Sequence, residues 1–174
     1  MSFHVRHAAP EDAPAIAAVA RITWADTYRG IIPAEIQQAV LPQWYAEDRL
    51  ARAAGNPESA FFVAEGEGGQ VVGFAQAGPR KEAGDAELWR IYVLPEHQRR
   101  GIGRKLLQAC LETLRARGPV NRLFVQVEAE NQIGRRAYER LGFHYVREYD
   151  DEIMGHATRM CEMCLHLGDQ SGGG

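Results

Sequence analysis

"PEHQRRGIGRKLL", residues 95 to 107, decides how the rest of the chain is read. It follows the apolar run "LWRIYVL" (88–94) and opens into "GRKLLQACLETLRAR" (103–117). Ile102, Leu106, Ala109, Cys110 and Leu114 share one face of that second stretch, which predicts an amphipathic helix. Pro95 has no N–H and holds Leu94 extended, so regular strand pairing stops there. A strand, a glycine-bearing turn and a helix in this order make an anion site. The first N–H groups of a helix have no partners inside it, and the helix dipole places about half a positive charge at that end. Gly101 and Gly103 let the backbone approach a phosphate closely. Arg99, Arg100, Arg104 and Lys105 add positive charge.

Two common nucleotide patterns fail here. A magnesium-nucleotide loop needs Ser or Thr after its Gly-Lys pair, and Lys105 is followed by Leu106. The dinucleotide pattern G-x-G-x-x-G fails because position 106 is Leu. The pattern present is Gln98-Arg99-Arg100-Gly101-Ile102-Gly103, or Q-x-x-G-x-G.

Working outward, "SFHVRHA" (2–8) alternates like an opening strand, and "PEDAPAIAAVARITWADTY" (10–28) reads as a helix. "RGIIP" (29–33) is a loop, and two shorter helices, 34–41 and 44–54, are expected on either side of Pro42. The period then changes. "AFFVAE" (60–65) and "QVVGFAQA" (70–77) are strands joined by the hairpin signal "GEGG" (66–69), and "ELWRIYVL" (87–94) is the next strand. After the helix at 103–117 come a strand at 121–128, a short helix at 133–142, and closing strands at 143–149 and 158–167. "SGGG" (171–174) reads as a flexible tail. This order is a single α/β domain over 1–167, with 168–174 as a C-terminal tail.

The 174 residues suit one core, with 45% hydrophobic and 25% charged residues. A net charge of −3 argues against nucleic-acid binding through global positive charge. The N-terminus has charges and His where a signal peptide needs an apolar core, and no run approaches the roughly 18 apolar residues of a membrane span. With three cysteines and no secretion signal, reduced thiols in a cytoplasmic protein are expected. Cys161 and Cys164 have C-x-x-C spacing, but on a strand they point to opposite faces, so packing is expected and no metal site.

Q-x-x-G-x-G between a strand and a helix resembles the pyrophosphate loop of the GNAT N-acetyltransferase family. A second family pattern is Asn, then Tyr seven residues later, then Gly-Phe; "ENQIGRRAYERLGF" supplies Asn131, Tyr138 and Gly142-Phe143. The resemblance covers residues 3 to about 167. It implies a mixed, mostly antiparallel twisted sheet with flanking helices, acetyl-CoA as co-substrate without a metal, and acetyl transfer to a primary amine of a small molecule or peptide. It also implies roles. The loop amides from Gln98 to Arg104, Ile102 included, would take the pyrophosphate. Ile91, Tyr92 and Val93 would pair with the pantetheine arm from a strand that splays from its neighbour, and Asn131 would contact that arm. Tyr138 would be the general acid at sulfur.

An amine of pKa about 10.4 is only about 0.04% neutral at pH 7, so a base is needed. Glu87, eleven residues before Gln98, is the candidate, acting through water. It matches the glutamate of the histone-acetylating branch. The branch acetylating ribosomal-protein N-termini places Glu five residues before the Asn; here that residue is Gln126, which cannot be a base. Trp24, Tyr28, Trp44 and Tyr45 around "RGIIP" either wall an acceptor pocket or pack the helices on the sheet, and Asp26, Glu82 and Asp85 could attract an amine. The alternative function is a non-catalytic acyl-CoA sensor or partner-binding module. A homodimer is a candidate assembly.

Overall fold

The fold is described from a computed structural model, which covers residues 2–168. The strands are β1 (His4–His7), β2 (Ala60–Glu65), β3 (Val71–Pro79), β4 (Asp85–Val93), β5 (Arg122–Glu128), β6 (His144–Ile153) and β7 (His156–His166). The helices are α1 (Ala13–Thr27), α2 (Ala34–Trp44), α3 (Glu47–Gly55), α4 (Ile102–Arg115) and α5 (Gln132–Arg140). The strands form one sheet in the order β1-β2-β3-β4-β5-β7-β6. Every neighbouring pair is antiparallel except β4–β5, which is parallel. Parallel neighbours need a crossover, and α4 provides it.

Two cores sit on the two faces. On one, α4 buries Ile102, Leu106, Leu107, Cys110, Leu111 and Leu114 against Ala75, Leu88, Leu123 and Val125. On the other, α1 to α3 bury Ile16, Val19, Ala20, Val40 and Leu50 against Phe61, Val63 and Phe74. Arg6 of β1 closes the start of the second layer. It holds Asp12 through two bonds of 2.7 and 2.9 Å, and Asp12 also accepts the Ala9 N–H. That guanidinium, the largest influence, keeps the Asp12 carboxyl below the usual carboxylate range despite burial.

The most consequential feature is how briefly β4 and β5 pair. Their ladder covers only Asp85, Ala86 and Glu87 against Arg122, Leu123 and Phe124. Past these residues β4 runs on to Val93 and β5 to Glu128 without meeting again. The gap between them is the predicted splay.

Three expectations need correction. Pro42 does not divide two helices: α2 runs through it to Trp44, and the break falls at Tyr45 and Ala46. Pro42 sits in the last turn and removes one intrahelical N–H bond there, and the helix ends two residues later. The predicted helix from 10 to 28 begins as a single 3₁₀ turn, Pro10–Asp12, ahead of α1. The first closing strand, β6, runs four residues past its expected end, and β7 begins two residues earlier than read. β6 and β7 form one hairpin whose tip, Met154 and Gly155, has φ of 51° and 81°, as a type I′ turn needs. Cys161 faces the α4-side core with Met163, while Cys164 lies on the other face. Apart from Gly168, the expected tail 168–174 lies outside the described residues.

Candidate active site

A cavity of about 650 Å³ occupies the gap between β4 and β5. Its walls draw on both faces of the sheet. The loop from His97 to Arg104 and α5 bound one end; Thr23, Asp26, Thr27 and Tyr28 of the α1 terminus bound the other.

The loop is built by local chemistry. Leu94 donates to the Val72 carbonyl at 2.8 Å, the last cross-strand bond of β4. Antiparallel bonds alternate, so Tyr92 and Leu94 face β3, while the main-chain groups of Ile91 and Val93 face the gap. The Val93 carbonyl is satisfied by the Gln98 side chain at 3.0 Å, which folds the loop back on the strand. Arg99 and Gly101 both have positive φ, 63° and 83°, and turn the chain into α4. The first helical bond runs from Lys105 N–H to the Gly101 carbonyl at 3.1 Å. The amides of Ile102, Gly103 and Arg104 precede it and have no carbonyl one turn back.

The space at Gly103 tests the fit to a phosphate. A Cβ there would meet only Ile91 Cδ1, at 4.0 Å. Protein packing therefore does not demand glycine at 103, whereas a phosphate against the helix terminus does. Arg104 donates to the Arg140 carbonyl at 3.2 Å and ties α4 to α5.

α5 is positioned by its second motif. Asn131 is buried and caps the helix, its Oδ1 accepting the Gly134 N–H at 2.9 Å. A Cβ on Gly134 would lie 2.5 Å from Asn131 Nδ2, so the glycine makes room for the cap. At the other end Gly142 turns with φ of 103°, and Phe143 N–H closes on the Tyr138 carbonyl at 3.0 Å. The Phe143 ring then meets Tyr138 edge-on at 5.5 Å. Asn, Tyr, Gly and Phe thus cap, carry and brace one short helix. Burial holds the Tyr138 phenol well above its ordinary pKa, so it carries its proton.

The residues expected to form the site converge in part. Ile91, Tyr92, Val93, Gln98, Arg99, Gly101, Ile102, Gly103, Arg104, Asn131 and Tyr138 all line the cavity. Arg100 and Glu87 are not among its walls. Glu87 stands behind Gln126, which does line it, and accepts the Gln126 amide at 3.2 Å. Gln126 also donates to Glu162 at 2.9 Å and accepts the Tyr149 hydroxyl at 2.8 Å, while Arg80 lies 3.9 Å from Glu87 and 3.6 Å from Glu162.

Trp24, Tyr28 and Tyr45 pack under the helices, with Trp24 4.7 Å from Tyr28 and 6.3 Å from Tyr45. Of the four aromatics around the loop, only Tyr28 reaches the cavity. Asp26 lines it too; Asp85 instead binds Arg122 at 2.7 and 2.9 Å.

Three features escaped the sequence reading. Burial pushes the Tyr28 phenol to about 12, and its hydroxyl and that of Tyr92 influence one another's titration. Glu128, 5% exposed, accepts the Glu130 N–H and holds the turn that presents Asn131; burial raises its pKa. Arg90 stands in the wall because of a bulge. Gln76 pairs with Arg90 and Ala77 with Leu88, so Trp89 is an extra residue that moves Arg90 and Tyr92 onto the α1 side.

The profile of the Acetyltransferase (GNAT) family matches residues 16–143. An uncharacterised N-acetyltransferase of Bacillus subtilis, YuaI, is 37% identical over 130 residues, covering 73% of this chain and 72% of the relative. A spermidine N(1)-acetyltransferase of Thermoplasma acidophilum is 29% identical over 148 residues, covering 82% and 89%. The crystal structure of the PaiA N-acetyltransferase of Thermoplasma acidophilum in complex with coenzyme A superposes with a TM-score of 0.77 at 25% identity, over 95% of this chain and 99% of that one. The chain belongs to the GNAT acetyltransferase family and is an acetyl-CoA-dependent N-acetyltransferase.

Proposed function

We propose that residues 1–167 act as one catalytic domain that acetylates a primary amine of a small molecule or peptide by direct attack in the gap between β4 and β5. The single observation that carries this reading is the short β4–β5 ladder, which leaves one strand's main chain facing a cavity between a phosphate-type loop and a protonated tyrosine.

The amides of Ile102, Gly103 and Arg104 hold the pyrophosphate of acetyl-CoA, with Arg99, Arg100 and Lys105 adding long-range attraction. Ile91 and Val93 offer their gap-facing main-chain groups to the pantetheine arm, in the manner of an added strand. The Val93 N–H polarises the thioester carbonyl. Asn131, whose Oδ1 is occupied by Gly134, uses its Nδ2 donors on the same arm.

The amine enters from the α1 side. Glu87 first takes one proton from the ammonium through water; the neutral nitrogen then bonds to the acetyl carbon, the C–S bond breaks with the Tyr138 proton passing to sulfur, and the second nitrogen proton returns to Tyr138. Tyr138 is a phenol pushed above its ordinary range, so protonating a thiolate whose thiol has a pKa of about 8.5 runs uphill and must be concerted with C–S cleavage. Relatives named for spermidine and for a ribosomal-protein alanine support an amine acceptor, without choosing between small molecule and peptide. Among the described residues no helix is long and apolar enough to cross a membrane. The reading takes the enzyme to work in the cytoplasm.

The test is thiol release from acetyl-CoA across a panel of polyamines, aminoglycosides, amino acids and peptides. Turnover with at least one amine is expected. Coenzyme binding with no turnover on any of them would instead identify an acyl-CoA sensor.

A further inference from the structure

Arg90 is bound in a way that separates it from the other arginines of the sheet. Its Nε donates to Gln76 Oε1 at 2.9 Å, its Nη1 to the Trp44 carbonyl at 3.0 Å, and its guanidinium lies 4.8 Å from the Tyr45 ring centre. All three partners are neutral. Arg6, Arg122, Arg147 and Arg159, on β1, β5, β6 and β7, and Arg80, just past β3, each meet a carboxylate at 2.7 to 3.6 Å. Among the described residues no carboxylate lies within 4.0 Å of Arg90. A guanidinium has five N–H donors, and two are engaged. The group is half-buried and lines the cavity.

The position matters as much as the charge. The bulge at Trp89 turns Arg90 to the α1 side, with Tyr92, whereas Ile91 and Val93 pack on the α4 side. Arg90 therefore stands across the sheet from the layer that carries the phosphate-type loop, at the end assigned to the amine. A partly desolvated cation without an anion is costly, and a carboxylate in bidentate contact offsets that cost. The clamp on Gln76 and Trp44 fixes the fork in advance, so little freedom is lost on binding.

We infer that the acceptor carries a carboxylate as well as its amine, in the manner of an amino acid or a short peptide with a free C-terminus, and that Arg90 binds that carboxylate. This rests on the acetyl-transfer reading above. Arg90 selects the substrate and takes no part in proton transfer.

The experiment uses the full chain, saturating acetyl-CoA and matched acceptor triplets: amino acids or dipeptides, their carboxamides and their decarboxylated amines, with spermidine as a polycation. The expected result is kcat/KM at least tenfold higher for the carboxylate member of a triplet than for its carboxamide. Arg90→Gln should raise KM for that member at least tenfold, change its kcat little, and erase the preference. Arg90→Lys should restore part of it, and coenzyme A affinity should stay within twofold in both variants. That last measurement separates an acceptor carboxylate from a coenzyme phosphate as the bound anion. Equal or better turnover of carboxamides, decarboxylated amines or spermidine overturns the inference. So does an Arg90→Gln enzyme slowed equally on every acceptor, because Arg90 would then only fasten α2. Absence of turnover with every amine would overturn the acetyl-transfer reading itself, and this inference with it.

Discussion

Tyr138 and Glu87 have different relations to the cavity, so their variants should fail differently. Tyr138→Phe keeps the ring against Phe143 and removes only the hydroxyl with its proton, so coenzyme A affinity should persist while kcat falls by about 10² or more. Single-turnover rates decide this, since slow product release can mask a chemical step; an unchanged single-turnover rate would remove Tyr138 as the acid. Glu87→Gln leaves the Gln126 contact available in shape. Its rate loss should shrink as pH rises toward the acceptor amine's own pKa, because solvent then deprotonates the amine. A profile parallel to wild type at full rate would move the base elsewhere, with buried Glu128 next to be tested. At Gly103 the structure separates folding from binding. A Cβ there meets only Ile91 Cδ1 at 4.0 Å, so the root of a side chain fits, and Gly103→Val should melt close to wild type yet bind coenzyme A at least tenfold more weakly, about 1.4 kcal/mol. Calorimetry with unchanged affinity would mean the phosphate is held elsewhere.

Among the elements, the turn joining β1 to α1 offers a stability test with a defined pH window. Asp12 is held below the ordinary carboxylate range chiefly by Arg6, so its contribution is complete above the unfolded value of about 3.9. It is lost as pH falls through the lower folded value. Asp12→Asn should therefore cost about 1.5–3 kcal/mol at pH 7, and the gap to wild type should close in acid below pH ~4. A gap that persists in strong acid would mean the pair is not what Asp12 contributes. The elements themselves differ in how plainly the chain announces them. α4 was legible because its apolar spacing and the glycines before it are local signals, and α5 because Asn131, Tyr138, Gly142 and Phe143 each have a local task. The bulge at Trp89 was not legible. "LWRIYVL" is apolar on both faces, so no alternation reveals which way Arg90 points. The length of the β6–β7 hairpin was hidden by the charged run 150–152 and by Met154 in a turn position that favours Asn or Gly. The C-x-x-C pair was readable because strand periodicity alone puts Cys161 and Cys164 on opposite faces.

For the molecule as a whole, the gap is where the two cores come closest to communicating. One layer packs α4 on β2, β3 and β4, the other packs α1 on β3 and β4 with α2 and α3 against it, and only three residue pairs tie β4 to β5. How far two strands pair is decided by both layers at once, so no local pattern in either strand could reveal it. On the proposed binding mode, the same fact would give the coenzyme a structural role. Bound along Ile91 and Val93 and across to Asn131, acetyl-CoA would occupy the missing strand's place and join the halves. A ligand that binds only the folded chain stabilises it by about 2.7 kcal/mol at a hundredfold excess over Kd. For 174 residues that corresponds to a melting temperature higher by about 5–10 °C. Hydrogen exchange should slow most at the gap-facing amides of Ile91 and Val93 and at 102–104, and little in β1, β2 and α3. The Gly103→Val variant should start from nearly the same melting temperature and gain far less from the coenzyme. A wild-type protein whose melting temperature ignores saturating coenzyme A, or whose exchange slows evenly across the chain, would show that the gap is not where the coenzyme lies.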